Sequence, residues 1–136
     1  MRSPERYKGS GAILDARLPK MEEKMNEFVY LYRRPLRPAE SPQQMQDRLQ
    51  RWRDWFSDLE KRGHIKSLGQ PLAEAGGGVV RGTGRVSDGP YAETKDIIMG
   101  FTLVEAKDLD QAIKLTQTWP GFDEGGCIEV RPVLKL

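Results

Sequence analysis

The chain has 136 residues, enough for one domain with a core of its own. Lys and Arg number 22 and Asp and Glu 20, a balance too even for a dedicated nucleic-acid binder. No apolar run approaches the ~20 residues of a membrane span, and the single cysteine, Cys127, excludes an internal disulfide framework and a multi-cysteine zinc site.

Residues 1–24 carry six basic and four acidic side chains, which is the whole +2 of the chain. They hold few large aliphatics and are expected to form a flexible extension. The apolar core of a secretory signal is missing from them, and the expected location is cytoplasmic. Met21 and Met25, just before the first strand-like run, offer alternative translation starts; the other reading of the upstream residues is a genuine flexible arm. The domain is expected over residues 25–136.

Phe28 to Tyr32 (FVYLY) predicts a strand, closed by Arg33-Arg34-Pro35. Arg33-Arg34-Pro35-Leu36-Arg37 is a short basic run that reads as a solvated loop. Ser41 opens a helix: it is the N-cap, Pro42 takes the first turn, and Gln44 completes a capping box. Met45, Leu49, Trp52, Phe56 and Leu59 then fall on one helical face, and Gly63 ends the helix. Trp52 and Phe56 belong to the core on this spacing, with Trp55 at an edge or interface.

His64 to Leu68 predicts a second strand. Gly76-Gly77-Gly78 marks a bend, and Val79 to Val86 a third strand weakened by Gly82 and Gly84. Ser87-Asp88-Gly89-Pro90 reads as a turn. Ile97 to Ala106 is apolar on both faces and is expected at the centre of the sheet. Asp108 caps a second helix, 108–118, with Leu109, Ala112, Ile113 and Thr116 on its inner face, and Trp119-Pro120-Gly121 stops it. Cys127 to Leu134 is the last strand, and Pro132 places its end at a sheet edge. The order β-α-β-β-β-α-β describes an α+β, ferredoxin-like fold with an antiparallel sheet and an extra hairpin strand. Two helices cover one face of such a sheet. The bare face predicts a homodimer.

Asp88 to Lys95 reads DGPYAETK. It is followed by Gly100-Phe101, by Leu109-Asp110-Gln111-Ala112, by Pro120, and by Ile128 to Val133 as IEVRPV. This set, in this order, resembles the YCII-related family in the branch named for its DGPF motif. The resemblance implies a dimeric α/β-barrel arrangement, members mostly without an assigned function, and for some a link to transcription through neighbouring sigma factors. Tyr91 stands where the motif has Phe. The enzyme-like branch carries a histidine early in its first helix. That place falls near Trp52, so the histidine–aspartate pair does not carry over.

The polar groups of the motif suggest a cleft for a small anionic molecule. Asp88 and Glu93 are the candidate general bases. Tyr91, Thr94, Lys95, Glu129 and Arg131 are the candidate ligand contacts, Lys95 and Arg131 holding negative charge. The plainer reading keeps Asp88-Gly89-Pro90 as turn chemistry and places Glu129 and Arg131, which share one strand face, in a cross-strand or inter-subunit ion pair. Either a small-molecule-binding protein or acid–base enzyme, or a non-catalytic interaction domain, fits these residues. His64, the one histidine, reads as a surface or capping residue, and Cys127 as a small buried one. No cofactor, metal, nucleic-acid or membrane partner is implied.

Overall fold

The computed structural model describes residues 24–36, 38–89 and 96–136. Strand β1 (Asn26–Arg34) leads to helix α1 (Pro42–Lys61), then to the short strand β2 (Ile65–Ser67). A hairpin of β3 (Gly78–Val80) and β4 (Val86–Asp88) follows. Strand β5 (Ile97–Ala106), helix α2 (Leu109–Lys114), a 3-10 turn at Pro120–Glu124 and β6 (Cys127–Pro132) complete the chain.

The main sheet has the order β2-β5-β1-β6, every pair antiparallel. Each helix connects two strands that are separated by a third, a split β-α-β arrangement compatible with a ferredoxin-like α+β fold. The β3-β4 hairpin forms its own two-stranded sheet. Pro132 lies at the end of the edge strand β6, opposite Phe28, where a missing N–H costs no ladder bond in the centre.

Alternation sets the faces. Phe28, Tyr30 and Tyr32 of β1 and Gly100, Thr102, Val104 and Ala106 of β5 are buried toward the helices. Their neighbours Val29, Leu31, Phe101 and Leu103 lie half-buried on the opposite face. Trp55, Leu59, Ala112, Leu115 and Trp119 complete the core.

The capping box at Ser41 forms as its sequence predicts. The Ser41 Oγ accepts from the Gln44 amide at 3.1 Å, and the Gln44 Oε1 accepts from the Ser41 amide at 2.9 Å. Gly63 ends the helix with φ +80°.

Four expectations change. Val79–Val86 is not one strand: Gly82 and Gly84 take positive φ and fold it into the β3-β4 turn, closed by the Arg81 amide on the Arg85 carbonyl at 2.9 Å. Ser87 and Asp88 consequently lie within β4. Trp55 is buried at 5% exposure rather than at an edge, because the helix packs over β1 with Trp55 and Leu59 innermost. Helix α2 stops at Lys114, and its inner side is Ala112, Leu115 and Thr116, leaving Leu109 and Ile113 half-exposed.

Candidate functional site

A cavity of about 350 Å³ lies between the first half of α1 and one end of the main sheet. Met45, Leu49, Trp52 and Phe56 wall it from the helix. Tyr32 and the Met99–Thr102 stretch wall it from the sheet, and Leu68 to Leu72 and Trp119 close its sides. Its size is at the lower end of small-molecule pockets.

Glycine lets these walls meet. Gly69 has φ +70°, and a Cβ there would lie 1.9 Å from the Phe101 carbonyl oxygen. A Cβ on Gly100 would lie 2.9 Å from the Gln70 carbonyl oxygen. The loop therefore runs flush along β5, fixed by the Leu72 amide on the Met99 carbonyl at 2.8 Å. At the other side the indole of Trp119 lies over Gly121, where a Cβ would come within 2.2 Å of the ring.

The inner wall is an aromatic cluster. Tyr32 stacks on Trp119 with ring centres 5.6 Å apart and meets Trp52 edge-on at 5.0 Å. Trp52 and Trp119 are edge-on at 5.3 Å. The Tyr32 hydroxyl donates to Thr102 Oγ1 at 2.8 Å, and Thr102 Oγ1 donates to the Leu68 carbonyl at 3.0 Å. Burial holds the Tyr32 phenol far above the usual tyrosine range, so it is a neutral donor, not a base. The indole nitrogens of Trp52, Trp55 and Trp119 are buried with no acceptor among the described residues. Trp52 and Trp119 line the cavity; Trp55 does not.

Charge enters at the rim. Among the described residues, four arginines, Arg33, Arg34, Arg48 and Arg53, and one glutamate, Glu124, line the cavity. Arg34 is paired with Glu74 and Arg48 with Glu40. The Arg48 pair uses Nε and Nη2, and this bond raises the guanidinium pKa further. Arg33 bonds Glu129 at 3.1 Å and the Asp96 carbonyl at 3.3 Å. Among the described residues no group of three or more His, Cys, Asp or Glu side chains is placed to hold a metal ion.

The residues singled out from sequence fall elsewhere. Asp88 is exposed in β4 and does not line the cavity. Tyr91, Glu93, Thr94 and Lys95 lie outside the described residues. Glu129 and Arg131 project to the open face of the sheet, because their neighbours Ile128 and Val130 pack on the core. There Glu129 makes a cross-strand ion pair with Arg33 of β1, as the plainer reading of this residue expects. His64 sits where the helix meets β2, its Nδ1 donating to the Glu105 carbonyl at 2.7 Å. Cys127 is exposed rather than buried, since it begins an edge strand on the open face.

Sequence reasoning passed over the cavity arginines and treated Trp52 and Trp119 as core and stop signal. A signal was present: Arg48 and Arg53 flank the apolar face of α1, one turn from Leu49 and Trp52. What no local pattern announces is that Arg33 and Arg34, at the end of β1, reach the same rim.

A relative in Rhizobium meliloti (strain 1021), itself an uncharacterized protein, is 39% identical over 49 residues. That match takes in 35% of this chain and 40% of the relative's length. The family model for the YCII-related domain matches residues 28–136, from the first core strand to the last residue, so it covers every element that builds the sheet and the cavity. The chain belongs to the family of YCII-related domain proteins.

Proposed function

We propose that this protein binds a small organic anion in the cavity under α1. One observation carries the reading: a cavity of about 350 Å³ whose body is apolar and aromatic has, among the described residues, arginine side chains at its rim, Arg34 and Arg48 held there by Glu74 and Glu40 and Arg53 beside Gln50. An apolar wall with a few placed polar groups is the usual make-up of a small-molecule site, and arginine is suited to carboxylate and phosphate. The ionisable groups on the wall do not favour acid–base chemistry. Trp52 donates only, and Tyr32 stays protonated. An acid–base role for Asp88 or Glu93 of the DGPYAETK segment would need that segment to reach the bound molecule.

The open face of the sheet supports a second part of the reading, a homodimer of the dimeric α/β-barrel type. Val29, Leu31, Phe101 and Leu103 lie half-buried side by side there, and no element of the chain covers them among the described residues. A self-complementary patch favours a two-fold pair.

Thermal denaturation with a panel of organic acids tests the binding reading. A ligand that binds only the folded state at one hundred times its Kd adds about 2.7 kcal/mol of stability. Aromatic acids are expected to raise the melting temperature more than their neutral analogues. A panel in which no acid moves it counts against the site.

A further inference from the structure

The charges around the cavity differ in what already neutralises them. Arg33 is paired with Glu129 at 3.1 Å, Arg34 with Glu74 and Arg48 with Glu40. Glu124 is paired with Arg51 at 3.3 Å. Arg53 is the exception. Among the described residues its guanidinium meets no carboxylate, and its contact is the Gln50 amide oxygen at 3.5 Å, the outer limit of a hydrogen bond. Arg53 lies one turn beyond Leu49 and one turn before Phe56, on the side of α1 that walls the cavity. Pairing within the described residues therefore leaves a single positive charge on the lining. The apolar wall beside it is open to water. Met45 and Leu49 of α1 and Leu68 and Leu72 of the loop all line the cavity, and each keeps 38 to 46% of its surface exposed. An apolar group seated among these four side chains removes their surface from water together with its own. A charge seated there loses its hydration and meets no counter-charge on any of them.

Resting on the reading of the cavity as an anion site, we propose that its ligand is an amphipathic monoanion, with one carboxylate at Arg53 and an uninterrupted apolar body along Met45, Leu49, Leu68 and Leu72. Arg53 selects for the charge, and the four apolar side chains select against a second one. A dicarboxylate and a neutral alcohol of the same length are therefore rejected at opposite ends of one site.

The test uses the full chain and three probes of one length: octanoate, octanedioate and octanol. Titration calorimetry gives the affinities, and melting temperature gives a second readout. Octanoate is expected to bind about fivefold more tightly than octanol, the effect of an ion pair at an exposed arginine. Octanedioate is expected to bind at least about tenfold more weakly than octanoate, because its second carboxylate is left against the apolar wall. Arg53→Gln should abolish the advantage of octanoate over octanol and leave octanol itself within about twofold, and Arg53→Lys should restore part of it. Arg62→Gln removes the same charge from α1 at a residue paired with Asp58 and outside the cavity lining, and should leave all three affinities within about twofold. If octanoate keeps its advantage in Arg53→Gln, or loses it equally in Arg62→Gln, the assignment to Arg53 is overturned while the anion site stands. Octanedioate binding as tightly as octanoate overturns the single charge. If octanoate binds the unaltered protein no better than octanol, or if no probe at millimolar concentration gives heat or moves the melting temperature, the anion site falls and the proposal with it.

Discussion

Single residues set the shape of the cavity more than its lining chemistry does. Gly69 combines a positive φ with a backbone oxygen where its Cβ would be, so relaxation cannot come from a side chain. Gly69→Ala is expected to cost about 3 kcal/mol or more in urea unfolding, through strain and overpacking together. The buried tyrosines give a pH signature. Burial raises the phenols of Tyr30 and Tyr32 well above the ordinary value of 10. A group whose folded-state pKa is raised contributes stability that is intact below its unfolded pKa and is lost above it. Stability should therefore hold up to about pH 10 and then fall, by up to ~1.4 kcal/mol per pH unit for each phenol. Alkaline titration of unfolding free energy checks this; the double variant Tyr30→Phe/Tyr32→Phe should flatten the alkaline limb.

At the scale of elements, the parts legible in the sequence were those fixed by local rules. Helix α1 was readable to within a residue because Ser41, Gln44 and Gly63 are chemical stops and starts. Ser41→Ala should lower stability by about 1 kcal/mol, measured by thermal unfolding. Strands β1 and β5 were readable from apolar runs, and β5's central place from having two apolar faces. The β3-β4 hairpin reads as one strand because valines flanking Gly82 and Gly84 fit a glycine-weakened strand as well as a hairpin, until the φ angles of the glycines are known. The cavity was illegible for a different reason. It joins Arg33 and Arg34 of β1 to Arg48 and Arg53 of α1, to a loop beside β5 and to Trp119, and only the tertiary arrangement brings these together. The hairpin itself exposes Val80 and Val86 and holds Arg81 and Arg85 at its turn. An isolated two-stranded ribbon is marginal in stability. Limited trypsin digestion should cut within 81–85 before it cuts in the main sheet; first cuts inside β1 or β5 would contradict this.

For the whole molecule, the open sheet face carries the testable consequence. Leu31 lies there between Phe101 and Glu129 on the neighbouring strands. Leu31→Lys should convert the proposed dimer to monomer in sedimentation while leaving binding of organic acids in the cavity within about twofold. The order β2-β5-β1-β6 has another consequence, for the time course of folding. Strand β1 is central, yet its two neighbours are the last two strands to be synthesised. Its Tyr32 bonds Thr102 across 70 residues of chain, and its Tyr30 reaches Ala112 across 82. Until β5 leaves the ribosome, the most apolar strand of the first half has nothing to pair with, and α1 has only β2 to rest on. Contacts this distant in sequence slow folding. A chain stalled on the ribosome before residue 97 should accordingly remain as protease-sensitive as an unfolded one, and protection should arrive in a single late step once β5 and β6 have both emerged.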